Sequence, residues 1–240
     1  GQALSTRSDL LGEAIAEDLK VLQDKLPPFA FETAKAIVER ELDAPIDALF
    51  ASFDEKPVAA ASIAQVHFAV VIDGDGRRRD VAVKILRPSA EKKIREDLDL
   101  FRWVAEPAHR LLPQARRLRL PEAVETFAET VALEMDLRFE AAAASELRDN
   151  FLEEPRFHVP DIDWRRTARR VLTLERIGGL SIADPRAVEE GGVDREALLE
   201  VAATTFFHQV FRDGFFHADM HPGNVFVLPD GGIAPVDFGI

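Results

Sequence analysis

The sequence predicts an α+β protein in two lobes, a small antiparallel sheet first and a mostly helical part after it. Three observations carry that prediction. Short runs rich in apolar and β-branched residues, "LFASF", "IAQVHFAVVI" and "DVAVKIL", crowd into residues 48–87, where their length and composition fit strands. "DGDG" at 73–76 separates the last two, and Asp-Gly between apolar runs is a strong hairpin signal. The later segments carry apolar residues at spacings of three and four, the period of a helix.

Taken in order, residues 10–25 place Leu11, Ile15, Leu19 and Leu22 at helical spacing, and Pro27–Pro28 ends the run. A second helix fits 31–42, with Phe31, Ala34, Val38 and Leu42 on one face. After the sheet, 90–112 and 121–150 read as helices, the second with Val124, Phe127, Val131, Met135 and Phe139 in one stripe. "RRVLTLERI" (169–177) alternates like a strand, and Gly178–Gly179 closes it. A further helix covers 194–213. "NVFVLPDGGIAPVDFG" then reads as two short strands around Asp230–Gly231–Gly232. The chain starts at Gly1 without a Met and stops just after "VDFG", and is read as a fragment of a longer protein.

Composition narrows the function classes. Hydrophobic residues make up 47% and charged residues 30% of the 240, an ordinary globular balance. Lys and Arg number 30 against 43 Asp and Glu, a formal net charge of −13. That argues against a nucleic-acid partner, which needs a basic face. With no cysteine, disulfides and thiolate zinc sites are excluded. The longest apolar stretch, "VAAASIAQVHFAVVI", is interrupted by Gln65 and His67 and falls short of the roughly 18–20 residues of a membrane span. No signal-peptide pattern is visible.

The chemistry concentrates near the end. "FFHADMHPGNVFV" (215–227) has two readings. His217, Asp219 and His221 could surround a metal. Alternatively, Asp219 opens a phosphoryl-transfer loop that Asn224 completes five residues later. Asp237-Phe238-Gly239 follows Asn224 by thirteen residues, and the strands between should return Asp237 to Asn224. These two offer hard oxygen ligands suited to Mg²⁺, and Asp219 is placed to orient a hydroxyl or water. Phosphoryl transfer also needs a cover for the phosphates and a fixed cation. "VAVK" puts Lys84 on a strand, although taken alone an exposed strand lysine is the favoured reading. Glu134, Asp136 and Glu140 are candidate partners; in one continuous helix Asp136 and Glu140 share a face and Glu134 points elsewhere. A solvated acidic face is the plainer alternative. Upstream, "PVAAASIAQV" holds Ala59, Ala60, Ala61 and Ser62 where a kinase has glycines. Alanine avoids positive φ and keeps the backbone further from a phosphate, so this turn should be stiffer. The metal reading gives no role to Asn224, Asp237 or Lys84, and the phosphoryl-transfer reading is preferred.

These residues bring the chain into resemblance with the UbiB-type atypical kinases, the protein-kinase-like group tied to ubiquinone biosynthesis. The resemblance runs through "GQALSTRSDLLG", "PVAAASIAQVHFA", "VAVKILRP", "EMDLRFEAAAASEL", "FFHADMHPGNVFV" and "VDFG". It implies a protein-kinase-like two-lobed fold: a helical extension over 1–47, a sheet lobe over 48–177 and a partial helical lobe over 178–240. It also implies that Val58, Ala59, Ala60, Ala61, Ser62, Ile63, Ala64, Gln65 and Val66 form the nucleotide-covering turn. Lys84 would contact the phosphates of ATP or ADP, with Glu140 as its ion-pair partner. Asp219 would be the catalytic aspartate, and Asn224 and Asp237 the Mg²⁺ ligands. Glu175 to Ile177 would form the hinge near the adenine. Glu134 and Asp136 match the family's Glu-x-Asp motif, which works with an N-terminal Lys-x-Gly-Gln segment; Gly1–Gln2 match its end. The expected partners are the nucleotide, isoprenoid lipid or quinone precursors and quinone-biosynthesis proteins. The expected location is the cytoplasm, peripheral at the inner face of the bacterial plasma membrane, with membrane association carried by parts outside this chain. A nucleotide-sensing scaffold or a pseudokinase without useful turnover is the alternative.

Overall fold

Pro27 and Pro28 lead into the first helix among the described residues, α1 (Phe31–Leu42). The structure, a computed structural model, describes residues 27–111, 119–184, 195–217 and 220–238. The helix expected over 10–25, Gln2 and Asp219 lie outside the described residues. α1 spans the predicted residues, and Ala34, Ile37 and Val38 form its buried face. A short helix, α2 (Ile46–Leu49), follows after Asp43 turns left-handed at φ 51°.

The sheet region contains β1 (Ser52–Phe53), β2 (Ala59–Ala60), β3 (Ala64–Ile72) and β4 (Arg78–Leu86). β1 and β2 both pair antiparallel with β3, and β3 pairs along its whole length with β4, from Ala64 opposite Leu86 to Ile72 opposite Arg78. The "DGDG" turn is the predicted hairpin: Gly76 takes φ 83° and donates its N–H to Asp73 O at 2.9 Å. Side chains alternate across a strand. Val81, Val83 and Ile85 fill the core face of β4, which leaves Ala82 and Lys84 on the other.

The chain divides into two compact units, Gly1–Ala90 and Glu91–Ile240. The bounds 1–47, 48–177 and 178–240 read from the sequence remain a proposal about lobes.

In the second unit, α3 (Ala90–Leu111) is tied to α4 (Leu120–Glu134) by a two-pronged ion pair from Arg102 to Glu125, at 2.7 and 3.0 Å. The helix expected over 121–150 is two helices. α4 ends at Glu134 and α5 runs from Leu137 to Asn150. The cause is a competing acceptor: Leu137 donates its N–H to Arg169 O at 2.8 Å instead of to the turn before it. The predicted apolar stripe is divided as well. Val131 and Met135 are buried, while Phe127 and Phe139 are 50% and 48% exposed.

β5 (Val171–Glu175) follows, then β6 (Leu180–Ser181). The helix expected over 194–213 is an α-helix, α6 (Arg195–Phe207), that widens into a π-helical segment over His208–Asp213 before Gly214 caps it at φ 63°. A 3₁₀ turn at Pro222–Asn224 leads into β7 (Val225–Val227), which pairs with β6 and with β8 (Ile233–Pro235). The core of this unit joins Ala144, Leu147 and Phe151 of α5 and its end to Val201, Val225, Ile233 and Phe238. Among the described residues, no helix is long and apolar enough to cross a membrane.

One glycine in this unit is demanding. Gly179 has φ 99°, and a Cβ there would run into the carbonyl of Val227. Gly179→Ala should therefore lower stability by about 2–3 kcal/mol, from strain and clash together. Gly74→Ala, with open space around it, should change stability by less than about 0.5 kcal/mol. Urea midpoints of the two variants check the contrast.

Candidate functional site

One group of candidate residues sits on β2, β3 and β4 of the first unit. Ala59 stands opposite Val66, and Val66 opposite Lys84, so three neighbouring strands bring the alanine-rich segment and the lysine onto one row of one face. The segment is a tight hairpin and not the helix that alanine runs usually form. Val58 donates its N–H to Val66 O and Ala61 its N–H to Ala64 O, each at 2.8 Å. Among the described non-glycine residues, only Asp43 and Arg119 have positive φ. The alanines thus make the turn without the backbone angles that glycine supplies. Gln65 departs from expectation. Its side chain is 0% exposed and bonded to Phe29 and His67, so only its backbone faces the turn. Ala64 is buried as well.

A separate group of candidate residues sits on α5 and the β7–β8 hairpin of the second unit. Asp136 is not on a helical face with Glu140. It caps α5, accepting the Arg138 N–H at 3.1 Å and both prongs of the Arg138 guanidinium at 2.9 and 2.6 Å. That guanidinium holds the Asp136 carboxyl below the usual carboxylate range, against a smaller opposing effect of burial. Restarting the helix here turns Glu140 inward, where it is 7% exposed. It accepts the N–H of Phe238 at 3.4 Å, a long bond joining residues 98 apart in sequence. Glu134, at the end of α4, is half-buried. Lys84 belongs to the first unit and Glu140 to the second, and their pairing stays a proposal.

Asn224 and Asp237 are brought together as the sequence leads one to expect. β7 and β8 pair Val225 with Pro235, and Val236 donates its N–H to Asn224 O at 2.9 Å, placing Asp237 one residue beyond that bond. His217 and His221, which precede this hairpin, each take part in a backbone bond. His217 donates its backbone N–H to Gln209 Oε1 at 2.8 Å and sets its ring 5.3 Å from that of Phe238. His221 accepts the Gly223 N–H on Nδ1 at 3.1 Å. Gln209, buried on the π-helical segment, carries no motif that marks it in the sequence; a lone glutamine in the apolar run "TTFFHQVF" is the signal that could have found it. Phe238 is legible in the sequence only as the middle of a motif, and its buried ring is what His217 packs against.

The hinge candidates lie at the end of β5. Glu175 donates its N–H to Asp161 O at 2.8 Å, and its carboxylate accepts from His158 Nε2 at 2.9 Å and from the Asp161 N–H at 3.2 Å. With the carboxylate so occupied, Glu175 and Ile177 offer backbone groups more readily than side chains. They border a cavity of ≈ 350 Å³ shared with Leu228 and Pro229.

The antiparallel sheet with its alanine-rich hairpin and strand lysine, and the helices with the final β7–β8 hairpin, have the composition of a protein-kinase-like fold. The family model described as the ABC1 atypical kinase-like domain matches residues 21–240, and the chain belongs to that family. Among curated relatives, it is 48% identical over 244 residues to a protein from Marinobacter nauticus named probable protein kinase UbiB. It is 44% identical over 247 residues to one of the same name from Xanthomonas oryzae pv. oryzae. Each comparison covers 100% of this chain and 44% of the relative, so the chain spans less than half their length. A solved structure titled as the Rv3197–erythromycin complex from Mycobacterium tuberculosis matches with a TM-score of 0.74 and 33% identity. That match covers 100% of this chain and 59% of the other.

The cap at Asp136 gives a pH signature. Its folded pKa is depressed, so its charge contribution is complete above the ordinary carboxyl value of about 3.9 and is lost as pH falls through the lower folded value. Asp136→Asn keeps a cap acceptor and removes the charge. Wild type should exceed the variant by at most about 1 kcal/mol at pH 7, because Arg138 is exposed and the pair is screened. The gap should shrink as pH falls below the ordinary carboxyl value and close as it passes through the lower folded one. Urea unfolding at several pH values measures it, and a gap that stays constant with pH contradicts the assignment.

Proposed function

We propose that this chain carries the nucleotide-binding part of an Mg²⁺-dependent atypical kinase or ATPase that supports ubiquinone or related isoprenoid-lipid biosynthesis. The observation that carries the reading is that the β7–β8 hairpin returns the chain to Asn224, whose carbonyl accepts the Val236 N–H, so that Asp237 follows one residue beyond that bond and just before the Phe238 amide that Glu140 accepts. An amide oxygen and a carboxylate are hard donors, and that donor set fits Mg²⁺. When bound, the ion would neutralise charge on the nucleotide phosphates.

In this reading the chain's own groups divide the work. The hairpin over Val58–Val66 covers the nucleotide, and Lys84, on the same row of the sheet as Ala59 and Val66, pairs with its phosphates. Glu140 orients Lys84, and the backbone around Glu175 and Ile177 receives the base. Asp219 orients the attacking hydroxyl or water. Glu134, Asp136 and Gln2 belong to the regulatory pair of motifs implied by the family. Quinone precursors, quinone-biosynthesis proteins and attachment to the inner face of the plasma membrane are expectations for the whole protein. Turnover of ATP by water fits better than phosphorylation of a protein, because the family's N-terminal segment covers the place where a peptide would bind.

Titration with ATP and ADP, with and without Mg²⁺, and phosphate release in the same samples test the proposal. Mg²⁺-dependent binding is expected. Asp219→Asn should lower phosphate release by about 10²–10⁴-fold with little change in affinity, and Lys84→Ala should weaken nucleotide binding. Tight binding with no release in any sample would favour a nucleotide-sensing scaffold. Failure of wild type to bind nucleotide would sink both readings.

A further inference from the structure

We infer that Arg87 and Gln65 tie residues 27–29 to the alanine-rich turn, so that the turn's conformation and the chain preceding α1 are mechanically coupled. Its consequence for nucleotide binding rests on the reading of Val58–Val66 given above.

Two independent sets of bonds converge on the same three residues. Arg87, just past β4, donates from Nε to Ala61 O at 2.9 Å and from Nη1 to Pro27 O at 3.1 Å. Its guanidinium lies 5.7 Å from the centre of the Phe29 ring, within cation–π range. Its own N–H goes to Ile63 O at 2.8 Å. One residue therefore touches the turn at two carbonyls and the preceding segment at a carbonyl and a ring. A planar fork can make such divergent contacts at once; an ammonium cannot.

Gln65 makes the second tie from the adjacent strand. Its Oε1 accepts the Phe29 N–H at 2.9 Å, and its Nε2 donates to Phe29 O at 3.3 Å and to His67 Nε2 at 2.8 Å. His67 fixes which way the amide faces. His67 Nδ1 lies 2.8 Å from the carbonyl of Asp54, which can only accept, so that nitrogen carries the proton and Nε2 is left as the acceptor. Turning the Gln65 amide over would set donor against donor at Phe29 and acceptor against acceptor at His67. Gln65 and His67 are each 0% exposed, where losing such partners is costly. The rings of Phe31 and Phe53 close over His67.

Arg87 and Gln65 are thus positioning residues. Neither needs to touch a nucleotide, and whatever moves residues 27–29 must move Ala61 and Ile63 or break these bonds. By linkage, a ligand that fixes the turn must stabilise the segment, and the reverse.

Amide hydrogen exchange on the chain, in wild type, Arg87→Ala and Arg79→Ala, tests the tie. Arg79 pairs with Asp73 at the far end of the same strand pair and serves as the control. Without nucleotide, Arg87→Ala should speed exchange at both the Phe29 and the Ala61 amides by about 10-fold or more; Arg79→Ala should leave both unchanged. If Arg87→Ala loosens only one of the two amides, or neither, the coupling is overturned, whatever the chain binds. With MgADP, wild type should gain protection at Phe29 and Arg87→Ala should not, while its affinity falls by about 5-fold. Binding of MgADP to wild type with Phe29 exchange unchanged also overturns the coupling. No binding of MgADP to wild type overturns the nucleotide reading alone, since the first comparison still decides the tie.

Discussion

A carboxylate kept out of water must be given donors, and the second unit is arranged around meeting that demand at Glu140. Leaving such a group uncompensated costs several kcal/mol, more than the roughly 1 kcal/mol of a helix cap. The Arg169 carbonyl breaks the helix, the cap restarts it, and the restarted phase meets the demand of the carboxylate. The helix stops at Glu134, Asp136 caps a new one, and the restarted phase puts Glu140, Ala141, Ala144 and Leu147 on the buried side. Glu140 then takes the N–H of Phe238, which fixes the residue after Asp237. From Phe238 the dependence continues through its ring to His217, and from the His217 N–H to Gln209 on the π-helical segment. A break in one helix and a widening of another are therefore parts of one arrangement. π-helical turns recur where a side chain must be aimed at a site, and Gln209 is so aimed.

The first unit meets a different constraint with simpler means. A turn that covers phosphates is usually made with glycine, because glycine allows positive φ and close approach. The turn over Val58–Val66, proposed above for that role, uses alanines and closes with ordinary angles and short cross-strand bonds. Alanine has fewer conformations to lose and fewer to adopt. A stiff turn needs firm anchoring, and the contacts of Arg87 to Ala61 O and Ile63 O supply it from the neighbouring strand.

Much of this is legible in the sequence because local rules decide it. α1 falls on the predicted residues, the Asp-Gly turn makes the predicted hairpin, and the two final strands return Asp237 to Asn224. Where the sequence misleads, a distant partner overrules local preference. Nothing in "VALEMDLRFE" stops a helix; the carbonyl of Arg169, more than thirty residues on, does. With the helix broken, Asp136 and Glu140 no longer share a face, and Phe127 and Phe139 leave the stripe that periodicity assigns them. Gln65 looks in the sequence like an interruption of an apolar run and a candidate nucleotide contact. It is a buried strut, because its partners at Phe29 and His67 lie at positions that spacing cannot relate. The π-helical segment is invisible for the same reason: its sequence reads as ordinary helix, and only the His217 amide gives Gln209 cause to turn inward.

The two histidines that flank Asp219 in the sequence each have a backbone partner. Each has a duty set by the backbone. His217 spends its amide on Gln209 and its ring on Phe238, so the loop begins against the buried segment that carries Asp237. His221 receives the Gly223 N–H on its ring, while its own carbonyl receives the Asn224 N–H at 2.8 Å. Together these close the 3₁₀ turn at Pro222–Asn224 and fix where Asn224 enters β7. Proline at the turn's start presets φ, and glycine at 223 leaves room for the ring, since a Cβ there would come within 3.2 Å of His221 Nδ1. His221 thus sets where Asn224 enters β7, and β7 pairs with the strand that leads to Asp237.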